Sequence, residues 1–449
     1  MKSGGNAGQA PQDCEETRGR TRITEETDMK KAGTILTALA ASLMANSAMA
    51  GEVRVMWYSD GVEGEVIQDL LNRFMKDNPD IKVTLDNVAY KVIQEQLPIQ
   101  LEAGQGPDIA RVTNIKELAG HWLDIRLLVA DAKYWDDNFG AQADWMRPDG
   151  SNAITGFMTQ LTLTGGFANK TLFDQAGVAL PGEKATWDDW INASAAVMKS
   201  QKTAGAFGID RSGHRISGPN ASYGANYIGA DGKPAPVDAG VKEFATKLVN
   251  WTKDGLMLKE TWVSAAGSTY RAAADDFINA QIPFYYSGSW QVANLSTKIG
   301  DGFDWIATGS PCGTAGCSGL KGGAALVAVK YTKNAADVAK VMDYLSREDV
   351  VKEFSERTLF LPAHKGVVEK GGLAWVTKDK NVGPALDAFV KSSSQTVPAS
   401  DALPAWKWAS AYYGALVTRI SQVMAGEMPI EDAWARIDQD IADKVAQAK

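Results

Sequence analysis

Strand and helix patterns alternate over the part of the chain that follows residue 50. Apolar residues recur with a strand period in residues 52–57, 81–85 and 104–112, and with a helical period in residues 66–75 and 93–103. This order of strand, helix, strand, helix and strand predicts an α/β fold with a doubly wound sheet. Ligands of such sheets bind at the carboxyl ends of the strands, so the strand ends are where we look for a site.

Two of these strand ends carry polar and aromatic side chains. We expect each group to form one rim of a binding site. The residues in question are Trp57, Tyr58, Ser59 and Asp60 after the first strand, and Arg111, Thr113 and Asn114 at the third.

A later segment, residues 159–178, combines a strand, a glycine pair and a short capped helix. Polar and apolar residues alternate up to Gly165 and Gly166, where we expect the backbone to bend or to be closely approached. Asn169 predicts the N-cap of a helical turn, and Gly177 predicts its end. Further along the chain, Thr186 predicts the N-cap of another helix, with Asp188 and Asp189 at its positive end.

The run from Phe167 to Gly177 resembles the signature segment of the family 1 extracellular solute-binding proteins, the receptors of ABC importers, mostly for sugars. In that family the chain first crosses here from one lobe to the other. The match departs at Ala168, where the family usually has Tyr. Further resemblances cover nearly the whole chain after residue 50 and lie at residues 106–109, 186–189, 288–290, 322–346, 361–365 and 426–434.

The resemblance implies a two-lobe periplasmic binding protein fold of type II. Each lobe would be a doubly wound sheet with helices on both faces, and crossing segments would join the lobes. We expect residues 51–161 and 320–362 in lobe 1, and residues 162–319 and 363–449 in lobe 2.

Trp290 is the strongest single candidate for ligand binding. It follows a predicted strand and lies beside Gly288, so one face of its indole is expected to be open to the C–H bonds of a pyranose. The family has Gly-x-Trp here, with the Trp at the sugar, and the resemblance also implies sugar contacts for Thr113 and Asn114. The candidate ligand-binding residues are Trp57, Tyr58, Asp60, Arg111, Thr113, Asn114, Gln160, Thr162, Arg211, His214, Gly288, Ser289, Trp290, Gly322, Gly323, Trp408 and Tyr413.

Some of these candidates have a second interpretation. Arg211, His214 and Arg215 lie in a predicted polar loop at residues 211–219, where surface exposure is as good an explanation as ligand contact. Core packing is an alternative for Trp408 and Tyr413, and also for Trp406.

We also predict a helix at residues 116–128 and a buried parallel strand at residues 324–329.

The N-terminal region resembles an export signal. Residues 29–50 combine a basic start, a short apolar run and a small-x-small cleavage site, which predicts a secretory signal peptide. Residues 1–28 precede it and are interpreted as a mis-assigned start or an extension. The residue directly after the cleavage site is Gly51 and not Cys, so we expect a periplasmic protein without a lipid anchor or stable membrane insertion.

Cys312 and Cys317 are the cysteines that would remain after cleavage. An even pair in an exported protein, separated by four small or turn-forming residues, favours a local disulfide over a metal or redox pair.

The composition restricts the class of partner. A formal charge of −8 among 449 residues disfavours nucleic acid or an anionic membrane as the main partner. We find no phosphate-binding loop, no metal-spaced cluster and no catalytic triad motif, so we expect no cofactor, no metal and no catalytic residue.

We expect a monomer that binds a disaccharide, short oligosaccharide or glycoside and delivers it to ABC permease subunits. The alternatives are an exported carbohydrate-active enzyme, or the same fold with an anionic sugar derivative or sugar alcohol as ligand.

Overall fold

The computed structural model describes residues 51–264 and 270–447. The predicted extension at residues 1–28 and the predicted signal peptide at residues 29–50 lie outside this part of the chain. The strands are β1 (Gly51–Trp57), β2 (Ile81–Asn87), β3 (Ile109–Val112), β4 (Gly156–Asn169), β5 (Phe207–Ile209), β6 (Phe284–Gly288), β7 (Trp305–Gly309) and β8 (Lys321–Ala328).

The helices of the described residues lie between these strands and in a consecutive run after β8. They are α1 (Glu63–Asp77), α2 (Tyr90–Glu102), α3 (Ala132–Phe139), α4 (Ala143–Met146), α5 (Lys170–Ala176), α6 (Trp187–Gln201), α7 (Gly213–Ser222), α8 (Ala239–Lys253), α9 (Ala273–Ile278), α10 (Val292–Ile299), α11 (Ala335–Ser346), α12 (Glu348–Thr358), α13 (Lys365–Lys370), α14 (Val382–Ser393), α15 (Pro398–Ala402), α16 (Ala409–Ala425) and α17 (Ile430–Gln447).

The strands follow the order β2-β1-β3-β8-β4-β6-β5, and β7 also pairs with β4. Strands β1, β2 and β3 are parallel, whereas β8 is antiparallel to both β3 and β4. The α/β class predicted from the sequence is confirmed. Residues 324–329 are buried, as predicted. The predicted parallel pairing is wrong, because β8 is antiparallel to both of its neighbours.

Both faces of the sheet are covered by apolar side chains. In β1, Val55 belongs to one buried cluster and Met56 to the cluster on the opposite face. In β6, Phe284 and Tyr285 divide in the same way between two other clusters. Successive residues of a strand point to opposite faces, so this division is what a sheet covered on both sides by helices requires.

Strand β4 joins the two portions of the sheet. It pairs with β8 on one side and with β6 on the other. The glycine pair in β4 permits close approach: a Cβ at Gly165 would lie 2.8 Å from the ring of Phe389, and one at Gly166 would lie 2.4 Å from the Thr308 hydroxyl. The strand continues through both glycines, and its pairing with β7 shifts register between Gly166 and Phe167. The structure therefore supports the close approach and also shows an irregularity of the kind that bends a strand.

The predicted helix caps are confirmed. The Asn169 side chain accepts from the Leu172 N–H, and Gly177 ends α5 with a φ of 65°. Thr186 and Asp189 form a capping box at the start of α6.

Two predicted elements are wrong. The helix at residues 116–128 is replaced by turns and one 3₁₀ turn at Ala119–His121, because Trp122 pairs with Val329 at the end of β8. The polar loop at residues 211–219 is mostly helix α7. A Cβ at Gly213 would lie 2.3 Å from the Tyr413 backbone and one at Gly218 would lie 2.6 Å from the Leu320 backbone, so the glycines that obscured this helix are there for packing.

Candidate functional site

A cleft of about 560 Å³ lies where the two portions of the sheet meet. Its floor comes from the paired strands β4 and β8, in which Thr162 lies opposite Gly322 and Leu161 lies opposite Gly323. Gly322 must lack a side chain because a Cβ there would lie 2.8 Å from Nε2 of His214. The floor is therefore flat backbone with Thr162 and Gln160 projecting from it.

One wall of the cleft is built from residues at the ends of β1 and β3 and at the start of α2. The hydroxyl of Tyr90 lies 2.8 Å from Oγ1 of Thr113, and Nε2 of Gln94 donates to the same oxygen at 2.9 Å. Tyr58 packs beside Tyr90, with their ring centroids 4.9 Å apart. Burial raises the pKa of Tyr58 well above its usual value, so its phenol stays protonated.

The opposite wall comes from the start of α7 and from α16. His214 lies edge-to-face against both Trp290 and Tyr413, at centroid distances of 6.0 and 5.8 Å. Burial, helped by the Arg215 cation, lowers the pKa of His214 to about 3, so the imidazole is neutral at neutral pH. Its Nδ1 is buried and has no hydrogen-bond partner among the described residues.

Most of the sequence-predicted residues meet at this cleft. Those that line it are Tyr58, Asp60, Thr113, Asn114, Gln160, Thr162, Arg211, His214, Trp290, Gly322, Gly323 and Tyr413. Five predicted residues do not line it: Trp57, Arg111, Gly288, Ser289 and Trp408.

Trp57 and Arg111 are both fully buried beneath the cleft wall. Trp57 precedes Tyr58 in the strand direction, so its side chain points to the opposite face, where it packs edge-to-face on Phe354 at 6.1 Å. The Arg111 guanidinium lies 4.1 Å from the Tyr58 ring centroid and 3.2 Å from the Glu63 carboxylate.

Arg111 nevertheless helps to shape the site. Its partner Glu63 accepts hydrogen bonds from the backbone N–H groups of Asp60 and Gly61, and the N–H of Gly61 is 2.8 Å from Oε2. The second guanidinium nitrogen is 3.7 Å from the Asp60 carboxylate. Arg111 therefore fixes the loop that carries Asp60 instead of contacting a ligand itself.

The other three residues also have packing roles. A Cβ at Gly288 would lie 2.1 Å from the Trp290 ring, so glycine is required where the indole meets the backbone. The Ser289 hydroxyl accepts from the Leu163 N–H at 3.3 Å. Trp408 is the N-cap residue of α16 and packs, partly buried, against the apolar cluster of this portion of the protein.

Several cleft residues are not among the candidates that the sequence predicts. They are Tyr90, Gln94, Lys116, Glu117, Trp145, Asp210, Ser212, Gly213, Arg215, Trp406 and Ser410. From the sequence, ligand contact and surface exposure are equally good explanations for Arg215, and core packing is the alternative for Trp406. Tyr90 lies three residues after Asn87, the last residue of β2. The principle that ligands bind at the carboxyl ends of strands, applied to β2, would therefore have indicated Tyr90.

The relationship to known proteins follows from a family model described as the bacterial extracellular solute-binding protein family, which matches residues 58–352. The match spans more than half of the chain. The chain belongs to this family. A curated relative, a Brucella abortus protein named only as a binding protein, is 25% identical over 357 residues, which cover 75% of this chain and 81% of the relative.

Solved structures agree on the fold of this solute-binding protein. The GacH receptor of Streptomyces glaucescens, solved unliganded and with acarbose, has a TM-score of 0.72 at 18% identity and covers 86% of this chain and 96% of its own. An ABC substrate-binding protein from Listeria monocytogenes in complex with cycloalternan has a TM-score of 0.74 at 18% identity, over 88% of this chain and 99% of its own. The predicted two-lobe α/β binding-protein fold is confirmed.

The predicted disulfide is confirmed as well: Cys312 and Cys317 are bonded to each other. None of the helices within residues 51–264 and 270–447 is both long and apolar enough to cross a bilayer. Over the same residues, no group of three or more His, Cys, Asp or Glu side chains is arranged to hold a metal ion.

Proposed function

We propose that this solute-binding protein binds a carbohydrate in the cleft and delivers it, unmodified, to the permease subunits of an ABC importer. The observation that carries the proposal is the lining of the cleft, in which aromatic rings alternate with hydroxyl, amide and imidazole groups. Aromatic faces suit the C–H surface of a sugar, and fixed polar groups suit its hydroxyls. The structures of similar proteins with acarbose and cycloalternan support the same ligand class.

The aromatic surfaces that a sugar ring would contact are Tyr90, Trp145 and Tyr413. Tyr90 is 46% exposed, and Trp145 and Tyr413 are partly exposed at the cleft. Trp290, the strongest candidate from the sequence, is only 8% exposed. We therefore expect the sugar ring to stack mainly on these three residues and not on Trp290.

The proposed polar contacts come from both walls and from the floor. Thr113, Gln160, Thr162 and Asn114 offer hydroxyl and amide groups, and the buried Asn114 Oδ1 has no hydrogen-bond partner among the described residues. Groups that are desolvated and unpaired in the protein gain most when a ligand hydroxyl reaches them.

We propose a periplasmic location, with residues 29–50 as the export signal. The family assignment to extracellular solute-binding proteins supports export. We also propose the lobe division predicted above with one change, because His364 bonds to the Tyr134 hydroxyl at 2.7 Å and Val367 packs in the same apolar cluster as Trp135. Residues 363–370 are therefore assigned to lobe 1, and the last crossing to residues 371–381.

A thermal-shift screen tests the proposed ligand class. Binding to the folded state alone should raise the unfolding free energy by about 2.7 kcal/mol at a ligand concentration of one hundred times Kd. The panel should contain neutral di- and trisaccharides, glycosides, sugar acids and sugar alcohols, with amino acids and peptides as the contrasting class. Stabilisation only by the amino acids or peptides would contradict the proposal.

A further inference from the structure

The indole of Trp290 is covered by the guanidinium group of Arg215. The Arg215 Cζ atom lies 4.5 Å from the ring centroid, which is the distance of a cation–π contact. The ring also lies against the backbone at Gly288, where no Cβ could be accommodated. A pyranose therefore cannot stack on this face while Arg215 keeps its position.

Most hydrogen-bond donors of Arg215 are unused by the described residues. A guanidinium has five N–H donors in a planar fork. One nitrogen lies 3.4 Å from the Ser212 hydroxyl, while the buried Nε is 4.0 Å from Asp210 and has no hydrogen-bond partner. The remaining terminal N–H groups have no acceptor among the described residues, and Arg215 lines the cleft, so these groups can donate to a ligand there.

The surroundings of Arg215 hold the group in place. Asp210 accepts from the Tyr285 hydroxyl at 2.7 Å and from the Ser287 hydroxyl at 3.3 Å, so the carboxylate that faces Arg215 is itself fixed. Trp290 supplies a flat support on the other side. The guanidinium is thus oriented before any ligand arrives, which reduces the ordering cost of binding.

We propose that Arg215 is a specificity-determining residue whose planar fork donates to two neighbouring hydroxyls of the carbohydrate, with Trp290 as the positioning residue beneath it. The inference rests on the proposed function and adds the group that the sugar must carry, a pair of adjacent hydroxyls. Two adjacent oxygens match the spacing of the fork, which a lysine ammonium cannot reproduce. The carboxylate of Asp210 lies 4.0 Å from the Arg215 guanidinium and already balances its charge, so we expect a neutral diol to be favoured over the carboxylate of a sugar acid.

The experiment compares Arg215→Lys and Arg215→Met with the unmodified protein by titration calorimetry, using the neutral sugar that binds best in the screen. We expect each variant to lose about tenfold to a hundredfold in affinity, the loss typical of hydrogen bonds to a charged group. Analogues of that sugar that each lack one hydroxyl are then titrated. At least one analogue should bind the unmodified protein more weakly than the parent sugar does. Arg215→Met should bind that analogue and the parent sugar equally well.

Arg126→Lys is the matched control, because Arg126 makes a bidentate pair with Asp136 and does not line the cleft. We expect this control to bind like the unmodified protein, and the melting temperatures of the Arg215 variants show that they are folded. Unchanged affinity in Arg215→Lys, tighter binding in Arg215→Met, or exclusive binding of sugar acids would overturn the inference while leaving carbohydrate binding intact. Failure of the unmodified protein to bind any carbohydrate would instead overturn the proposed function.

Discussion

His214 shows how burial sets the charge of a single cleft residue. Its pKa is lowered to about 3 in the folded protein, against an ordinary value of 6.5. Between pH 6.5 and pH 3 the unfolded chain therefore binds a proton that the folded protein does not. The free energy of unfolding is highest above pH 6.5 and decreases as the pH falls through this range. We expect His214 to contribute about 1 to 2 kcal/mol of the loss in unfolding free energy between pH 7 and pH 5.

Denaturant unfolding of the protein and of His214→Gln at pH 7 and pH 5 measures this contribution. The Gln variant should lose less stability than the unmodified protein over the same interval. The pKa of His364 is lowered by burial too, and His364 is present in both proteins, so its effect cancels in the difference. Equal losses in the two proteins would contradict a neutral, buried His214.

The exposed aromatic rings make a separate prediction about binding. We expect Tyr90→Ala and Trp145→Ala each to weaken sugar binding by about tenfold or more, since a buried aromatic contact contributes about 1 to 3 kcal/mol. Calorimetry measures the change. Tyr344→Ala provides a comparison, because Tyr344 packs on Phe74 outside the cleft. If this comparison variant lost as much affinity as the other two, the assignment of the aromatic contacts would be wrong.

The residues that line the cleft could be predicted only in part. Residues placed by strand ends, such as Tyr58, Asp60 and Thr113, were found because strand ends converge at one edge of a sheet. Trp57 was misplaced because alternation along β1 turns its side chain to the other face. The cover of Arg215 over Trp290 depends on two segments that are distant in sequence, so no local pattern could indicate it.

At the scale of elements, the disulfide loop connects two helices near the site. The N–H of Cys312 donates to the Ala185 carbonyl at 2.9 Å, just before α6. The N–H of Ala315 donates to the carbonyl of Ser222, the last residue of α7, at 2.7 Å. Because α7 carries His214 at its other end, the loop supports an element of the cleft wall.

We therefore expect Cys312→Ser/Cys317→Ser to lower the unfolding free energy by about 2 kcal/mol, the loop-closure value for so short a loop, and to weaken sugar binding less than the cleft variants do. Denaturant unfolding and calorimetry measure the two effects. The same double variant treated with reductant should show no further change, whereas the unmodified protein should come to resemble it. A reductant that leaves the unmodified protein's stability unaltered would contradict this role.

The elements themselves were predicted well where their apolar periodicity was clear. The alternation from β1 to β3 and the caps of α5 and α6 follow from local residue patterns. Helix α7 is not predicted because glycine and serine are poor helix formers; its glycines allow close packing on α16 and on the segment just before β8. No helix forms at residues 116–128, because Trp122 pairs with Val329 directly after β8. These two residues are more than two hundred positions apart in the chain, so no local pattern indicates the pairing.

For the whole molecule, the crossing strands explain how one cleft can draw on both lobes. Strand β4 pairs with strands of both portions of the sheet, and together with β8 it forms the cleft floor. Hinge closure around a ligand is a general property of such two-lobe folds. The sequence could identify the crossing at β4, but the antiparallel return of β8 required the structure.

Titration calorimetry of the unmodified protein with the carbohydrate panel, followed by chromatography of the recovered ligand, tests the central claim most directly. We expect saturable binding of one neutral sugar per protein chain, with the sugar recovered unchanged. Absence of binding heat for every carbohydrate, or recovery of cleaved sugar, would contradict the account of this protein as a receptor that encloses its ligand without altering it.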